Sequence, residues 1–269
     1  MSRLWKSELL RVQLGSWHCT ATVLRRRGLR WLPGLQARAE GQGREALESA
    51  LAGLALGQSG GEWALPSSAR IELDDEVVHY ALLPVQGRWN VVQDRAREHF
   101  GEILGHTGWH LGHALAPGGS HWLVMAAEMS AVDPVMALLR ERGIATESIV
   151  GSLSQDLDRV QPMLSALPQG PKWLAVVRDH GVQLLQFGAG RQHLIGLGWH
   201  RLDWRDPAAL VNRLAALCGA QACVLLPALA SRETTQLARA ALIEPVRQRQ
   251  WLLIDAALAD APHEEGALS

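Results

Sequence analysis

Four groups of residues have the types and spacing that could do chemistry. The turn Gly15-Ser16, set between the apolar runs "LLRVQLG" and "CTATVL", has the small residues that let backbone amides approach a phosphate. The acidic set Glu72, Asp74, Asp75 and Glu76 could supply paired carboxylates for acid-base work or a hard metal ion. His99, His106, His110, His113 and His121 invite a metal reading, and Cys19, Cys218 and Cys223 a nucleophilic one.

Spacing argues against most of this. A mononuclear metal site needs three or four converging ligands. His106 follows the stop of a helix at Gly105, and three-residue spacing in a strand puts His110 and His113 on opposite faces. The acidic set falls in an expected hairpin turn with no second acidic motif to meet it, so it reads as a solvated turn. The cysteines lie in or beside expected strands and a helix, where a buried inert thiol is the default, and no G-x-S-x-G elbow is present. Neither a G-x-x-x-x-G-K-[ST] loop nor a G-x-G-x-x-G motif occurs. No catalytic, cofactor-binding or metal-ligating residue is therefore assigned. The basic run Arg25-Arg26-Arg27-Gly28-Leu29-Arg30 is a hairpin tip that reads as a soluble turn. Its functional alternative is docking to an acidic peptide or to phospholipid headgroups.

At 269 residues with 48% hydrophobic content the chain has enough apolar material for one large domain or two moderate ones. Its net charge of -1, from 26 basic and 27 acidic residues, creates no global field toward nucleic acid or an anionic membrane. Three cysteines without metal-like spacing suit a reducing compartment. The N-terminus lacks a signal-peptide core, and no stretch reaches the roughly 18 apolar residues of a membrane span. Aromatic content is skewed, with 11 Trp against two Phe and one Tyr.

The elements that would position these groups follow from hydrophobic period and punctuation. The opening hairpin and the strand "LRWLPGLQAR" precede an amphipathic helix with Leu47, Leu51 and Leu54 on one stripe and a stop at Gly57. After the break "GQSGG", "EWALP" reads as a short strand. Two strands then flank Asp74-Asp75-Glu76. A helix capped by Asn90 carries Val92, Ala96, Phe100, Ile103 and Leu104 on one stripe. The hairpin "WHLGHAL…HWLVMAAE" leads to a helix with Asp133 as cap, Pro134 at its first position and Gly143 at its end. The passage "VQPMLSALPQGPK" reads as a linker. Beyond it come three strands, a helix opened by Asp206-Pro207 with the stripe Leu210-Leu214-Leu217, the strand "QACVLLP", and a helix from Ser231 that Pro245 should exclude from its interior.

Both halves thus begin with a three-strand meander, a helix and a returning strand. This plan resembles the actin-like fold, and within it the pilus-assembly and secretion branch of PilM, GspL and MshI-type proteins. The stretches "RVQLGSWHCTATVL", "VVHYALLPVQGRWNVVQDRAREHFGEILGHTGWHLGHALAPGGSHWLVMAAEMSAVDPVMALLRERGI" and "KWLAVVRDHGVQLLQFGAGRQHLIGLGWHRL" carry the resemblance over about half of the chain. It implies an α/β (mixed α+β) fold of two lobes, each a mixed sheet flanked by helices. The first lobe would run over 1–168 with an inserted subdomain, and a second, shortened lobe over 169–269.

The resemblance also implies two phosphate turns, one per lobe, in which an acidic residue serves the metal. Here Gln13 occupies the acidic position of the first. In the second, Asp179-His180-Gly181, the residues Arg178, Val182 and Gln183 replace small neighbours. No Gly-Gly adenosine-type motif appears where "VLLPALASRE" stands. A pseudo-ATPase without cofactor is expected, not an enzyme. Its implied role is a cytoplasmic scaffold, peripheral to the inner membrane, in a type IV pilus or type II secretion-like machine. Its implied partners are an inner-membrane assembly protein, held by that protein's N-terminal peptide, and a motor ATPase. No nucleic acid is expected as a partner, and the alternative is an active ATPase or small kinase of the same fold.

Overall fold

The computed structural model describes residues 7–28, 30–57, 64–85, 88–105, 108–167, 172–188, 193–219, 221, 223–229 and 231–254. Two five-stranded sheets dominate, and they share one topology. The first has the order β3-β2-β1-β4-β8, built from β1 (Glu8–Leu14), β2 (His18–Arg27), β3 (Arg30–Glu40), β4 (Ser68–Leu73) and β8 (Ala145–Gly151). The second has the order β11-β10-β9-β12-β13, from β9 (Trp173–Val177), β10 (Val182–Phe187), β11 (Leu194–His200), β12 (Cys223–Pro227) and β13 (Leu252–Leu253). In each sheet the meander is antiparallel, and the returning strand and the last strand add in parallel on the other side. A third sheet, β5-β7-β6, comprises β5 (Val78–Pro84), β6 (Trp109–Leu115) and β7 (His121–Glu128).

By contact the chain divides into two units. The first is Met1–Tyr80, Gly87–His113 and Val124–Ser154; the second is Ala81–Gln86, Ala114–Leu123 and Gln155–Ser269. The expected boundary at 168/169 lies outside the described residues, as do 58–61 of the "GQSGG" break, 62–63 of "EWALP", His106 and the C-terminal residues from 255.

In the first unit, α1 (Gly43–Leu56) lays Ala46, Leu47, Ala50, Leu51 and Leu54 on one face of the meander. α3 (Met129–Glu141) adds Val132, Val135, Leu138 and Leu139 to the same core. Three buried leucines, Leu47, Leu51 and Leu54, at about 1.5–3 kcal/mol each outweigh the weak intrinsic stability of a 14-residue helix. α2 (Trp89–Leu104) buries Val92, Ala96 and Phe100 and stops at Gly105, whose φ of +74° is left-handed. In the second unit, α5 (Pro207–Cys218) opens on an Asp206 carboxylate that accepts from the Ala209 amide, with Pro207 at the first turn, as expected. α6 (Arg232–Gln248) opens on Ser231, which accepts from the Thr234 amide.

Several local expectations yield to tertiary packing. Ala64, Leu65 and Pro66 form no strand. α2 starts at Trp89, with Asn90 already inside it, and Ile103 is 64% exposed instead of on the buried stripe. α3 begins a turn earlier than Asp133, which buries Val132 and leaves Pro134 within the helix. The expected linker is mostly α4 (Ser152–Ala166), in which Leu153, Leu157, Val160 and Leu164 are buried around an internal Pro162. An internal proline costs about 3 kcal/mol, less than four buried aliphatic side chains return. The same balance places Pro245 inside α6, where Ala238, Leu242 and Val246 are buried.

The central role of α1 has a direct test. Leu47→Ala removes a fully buried side chain, and the chain should lose about 2–5 kcal/mol of stability. Urea unfolding followed by circular dichroism should show a lower midpoint, whereas Leu56→Ala, at an 88% exposed position on the same helix, should leave the midpoint in place.

Candidate functional site

The β1–β2 turn and the end of β4 form a polar cluster in the first unit. β4 lies between β1 and β8, both parallel to it, so neither of its edges is free to pair with β5. The segment Asp74–Val77 is therefore not the hairpin turn expected from sequence. It runs from one sheet to another, and the Asp74 amide donates to Leu14 O at 2.8 Å, which fixes it against the β1–β2 turn.

This placement brings the acidic residues inward, a correction to the solvated turn that the spacing suggested. Asp75 is 6% exposed and Glu72 7%. Gln13 Nε2 donates to Asp74 Oδ1 at 2.9 Å, and the Ser152 hydroxyl, at the start of α4, sits 3.2 Å from the same oxygen and 3.0 Å from Leu73 O. His18 Nε2 lies 3.3 Å from Asp74 Oδ2, close enough to pair and off the line of a hydrogen bond. Tyr80 Oη donates to Asp75 Oδ1 at 2.9 Å and accepts from the Leu153 amide at 3.3 Å. The Ser16 hydroxyl donates to Glu76 Oε2 at 2.6 Å.

The turn has no room to spare. A Cβ on Gly15 would stand 2.3 Å from His18 Cε1 and 3.0 Å from Asp74 Oδ2, so the imidazole and the carboxylate already cover the glycine. Gly15 N is spent on His18 O at 2.9 Å. A phosphate oxygen brought to about 4 Å from any one of these carboxylates would meet roughly 4 kcal/mol of repulsion at an effective dielectric near 20. A cation could relieve it, but Asp74 Oδ1 already accepts from Gln13 and Ser152, and His18 Nε2 stands 3.3 Å from Oδ2.

The β9–β10 turn of the second unit is filled differently. Arg178 is buried, with Nη1 2.7 Å from Asp156 Oδ2 and donating to Ala228 O at 3.0 Å. Arg159 Nη1 approaches the other Asp156 oxygen at 3.3 Å. A buried charge needs such a partner, since an unpaired one costs several kcal/mol. The Arg178 amide donates to Gly181 O at 2.8 Å, and a Cβ on Gly181 would stand 2.4 Å from the Trp199 ring. Asp179 thus belongs to a tight turn backed by a buried guanidinium.

The remaining candidates disperse. His110 Nε2 contacts Asp133 Oδ1 at 2.6 Å, so Asp133 serves β6 instead of a helix cap. His113 stacks on Trp89 at 3.9 Å, and burial holds its imidazole below the ordinary range. His99 packs T-shaped with the Phe100 ring, and His121 Nδ1 lies 2.9 Å from the Ser120 hydroxyl. Among the described residues no three His, Cys, Asp or Glu side chains are grouped to hold a metal ion. Burial, with Asp74 adding, pushes the Cys19 thiol up to about 12. A hydrogen bond from Cys223 to Cys218, together with burial, raises the Cys223 thiol well above its usual value.

Sequence patterns named Gln13, Asp74 and Asp179 but missed the partners. Nothing local signals His18, Tyr80 or Ser152 for Asp74 and Asp75, or Asp156 for Arg178. The i, i+4, i+7, i+11 spacing of Leu153, Leu157, Val160 and Leu164 does mark α4, the helix that carries Ser152 and Asp156.

Two sheets of one topology, each opened by a meander around a tight turn, mark the architecture. The fold is actin-like. No family model and no curated protein matches this sequence. Among solved structures, the PilM–PilN type IV pilus biogenesis complex matches at TM-score 0.62 and 12% identity, over 95% of this chain and 90% of that one. A Bacteroides thetaiotaomicron protein with actin-like ATPase fold and unknown function matches at TM-score 0.55 and 12% identity, over 94% and 95% of the two chains. At this identity the likenesses establish the actin-like fold and leave activity open. Among the described residues no helix is long and apolar enough to cross a membrane.

The buried Cys19 makes a pH prediction. Its thiol is neutral in the folded chain up to about 12, while an unfolded cysteine ionises near 8.5. Its contribution to stability is therefore complete below about pH 8.5 and is lost as pH rises toward 12. Wild-type stability should fall more steeply over that window than that of Cys19→Ala, measured by urea unfolding across the pH series.

Proposed function

We propose that this chain is a non-catalytic actin-like scaffold of a pilus- or secretion-type assembly machine, working at the cytoplasmic face of the inner membrane. It docks on a membrane-anchored assembly protein through that protein's N-terminal segment and relays position to a motor ATPase. One observation carries this reading: Gln13, His18 and Ser152 occupy the Asp74 carboxylate beside Gly15, in the turn where a nucleotide-binding relative would keep space and charge for a metal-phosphate group. The chain-long likeness to the PilM–PilN complex supports the pilus form of the reading, and the secretion form rests on sequence pattern. A net charge of -1 counts against nucleic acid as a partner.

The rival, an active ATPase or kinase, draws support from the fold shared with a protein of actin-like ATPase fold. It requires Asp179 to hold the metal, although the neighbouring Arg178 is buried against Asp156.

Labelled synthetic peptides from the N-terminal cytoplasmic segments of membrane proteins encoded beside this chain provide the test, read by fluorescence anisotropy. One should bind saturably, with the same affinity whether or not magnesium and ATP are present, and equally to Asp179→Ala. Failure of every peptide would overturn the docking role. Binding that appears only with magnesium-ATP and disappears in Asp179→Ala would favour the rival.

A further inference from the structure

The tip of the β2–β3 hairpin concentrates charge that neither turn nor the acidic cluster uses. β1 stops pairing at Glu8, opposite Arg25, and the Arg26 amide donates to Ser7 O. Past that rung, among the described residues, β2 and β3 pair only with each other, Arg26 opposite Trp31 and Arg27 opposite Arg30, with Gly28 at φ +63° in the reversal. Directly opposed residues of an antiparallel pair share a face. Arg25, Arg27 and Leu32 therefore lie on one face of the ribbon, and Arg26 and Trp31 on the other. Arg25 and Arg27 are exposed, Leu32 is 41% exposed, and Trp31 is half-buried. Glu8, 3.0 Å from Arg25 Nε, offsets one charge, and Arg26 Nε donates to Gly28 O within the tip.

We propose that this tip is a docking surface for the headgroups of an anionic lipid bilayer. Basic side chains near an anionic leaflet are each worth roughly fivefold in affinity, acting within a Debye length of the surface. The described tip carries arginine on both ribbon faces, Arg25 and Arg27 on one and Arg26 on the other, which suits a plane of headgroups met end-on better than a peptide laid along one face. Trp31 and Leu32 beside the arginines add the amphipathic ring and apolar contact that suit the headgroup level. The net charge of -1 leaves the rest of the surface without a general pull toward such a membrane, so attraction is local to the tip. This inference stands apart from the scaffold role. A chain that recognised no membrane protein would still collect on anionic lipid, and a scaffold held only by its partner would not.

Sedimentation of the whole chain with vesicles tests it, comparing phosphatidylcholine alone with mixtures rich in phosphatidylglycerol. The chain should pellet with the anionic vesicles only, and added salt should release it. The double variant Arg26→Gln/Arg27→Gln, with an unchanged circular dichroism spectrum, should bind roughly 25-fold more weakly, about fivefold for each arginine. Equal partition onto both vesicle types, or a double variant that binds like wild type, would overturn the proposal. So would binding to poly-glutamate that the same substitutions abolish in the absence of any lipid binding, which would assign the tip to an acidic protein partner.

Discussion

A carboxylate drawn out of water at the end of β4 has to find partners, and those it finds organise the first unit. Asp74 cannot sit in a hairpin loop because β1 and β8 hold both edges of β4. It turns instead onto the β1–β2 turn, where Gln13, His18 and Ser152 converge on it. Burying a charged group without such partners would cost several kcal/mol, so the turn, the strand end and the start of α4 are held to one geometry. The neighbouring pair Asp75 and Tyr80 extends the same closure to the Leu153 amide.

The second unit meets an equivalent demand with the opposite sign. Its meander turn is backed by a buried arginine, paired with Asp156 and bonded to Ala228 O. In one unit the turn is closed by side chains gathered on a carboxylate, in the other by a guanidinium held in the core. Both units keep one strand order, and in each the meander turn packs against side chains of the chain itself. The topology survives because it is fixed by sheet pairing and the α1 and α5 stripes, which ask nothing of the turn residues.

Much of this fold was legible because its signals are local. The two meanders, the Asp206-Pro207 start of α5 and the Ser231 cap of α6 each follow from a few neighbouring residues. The failures share a cause of another kind. Pro134, Pro162 and Pro245 were read as boundaries, yet each lies inside a helix whose buried stripe outweighs the penalty of one proline. The candidate site was legible only by half. Gln13 beside Gly15 already argued against a metal-phosphate turn, but the burial of Asp75 and the approach of His18 and Ser152 depend on β4 being central, which no local pattern reveals. The Arg178–Asp156 pair, 22 positions apart in sequence and on separate elements, was likewise beyond reach.

The central claim is that side chains of the protein itself, and no nucleotide, complete these turns. Calorimetric titration of the whole chain with ATP in the presence of magnesium tests it most directly. The account predicts no heat of binding above dilution, and the same flat response after Asp179→Ala. Tight, magnesium-dependent binding that Asp179→Ala removes would contradict it.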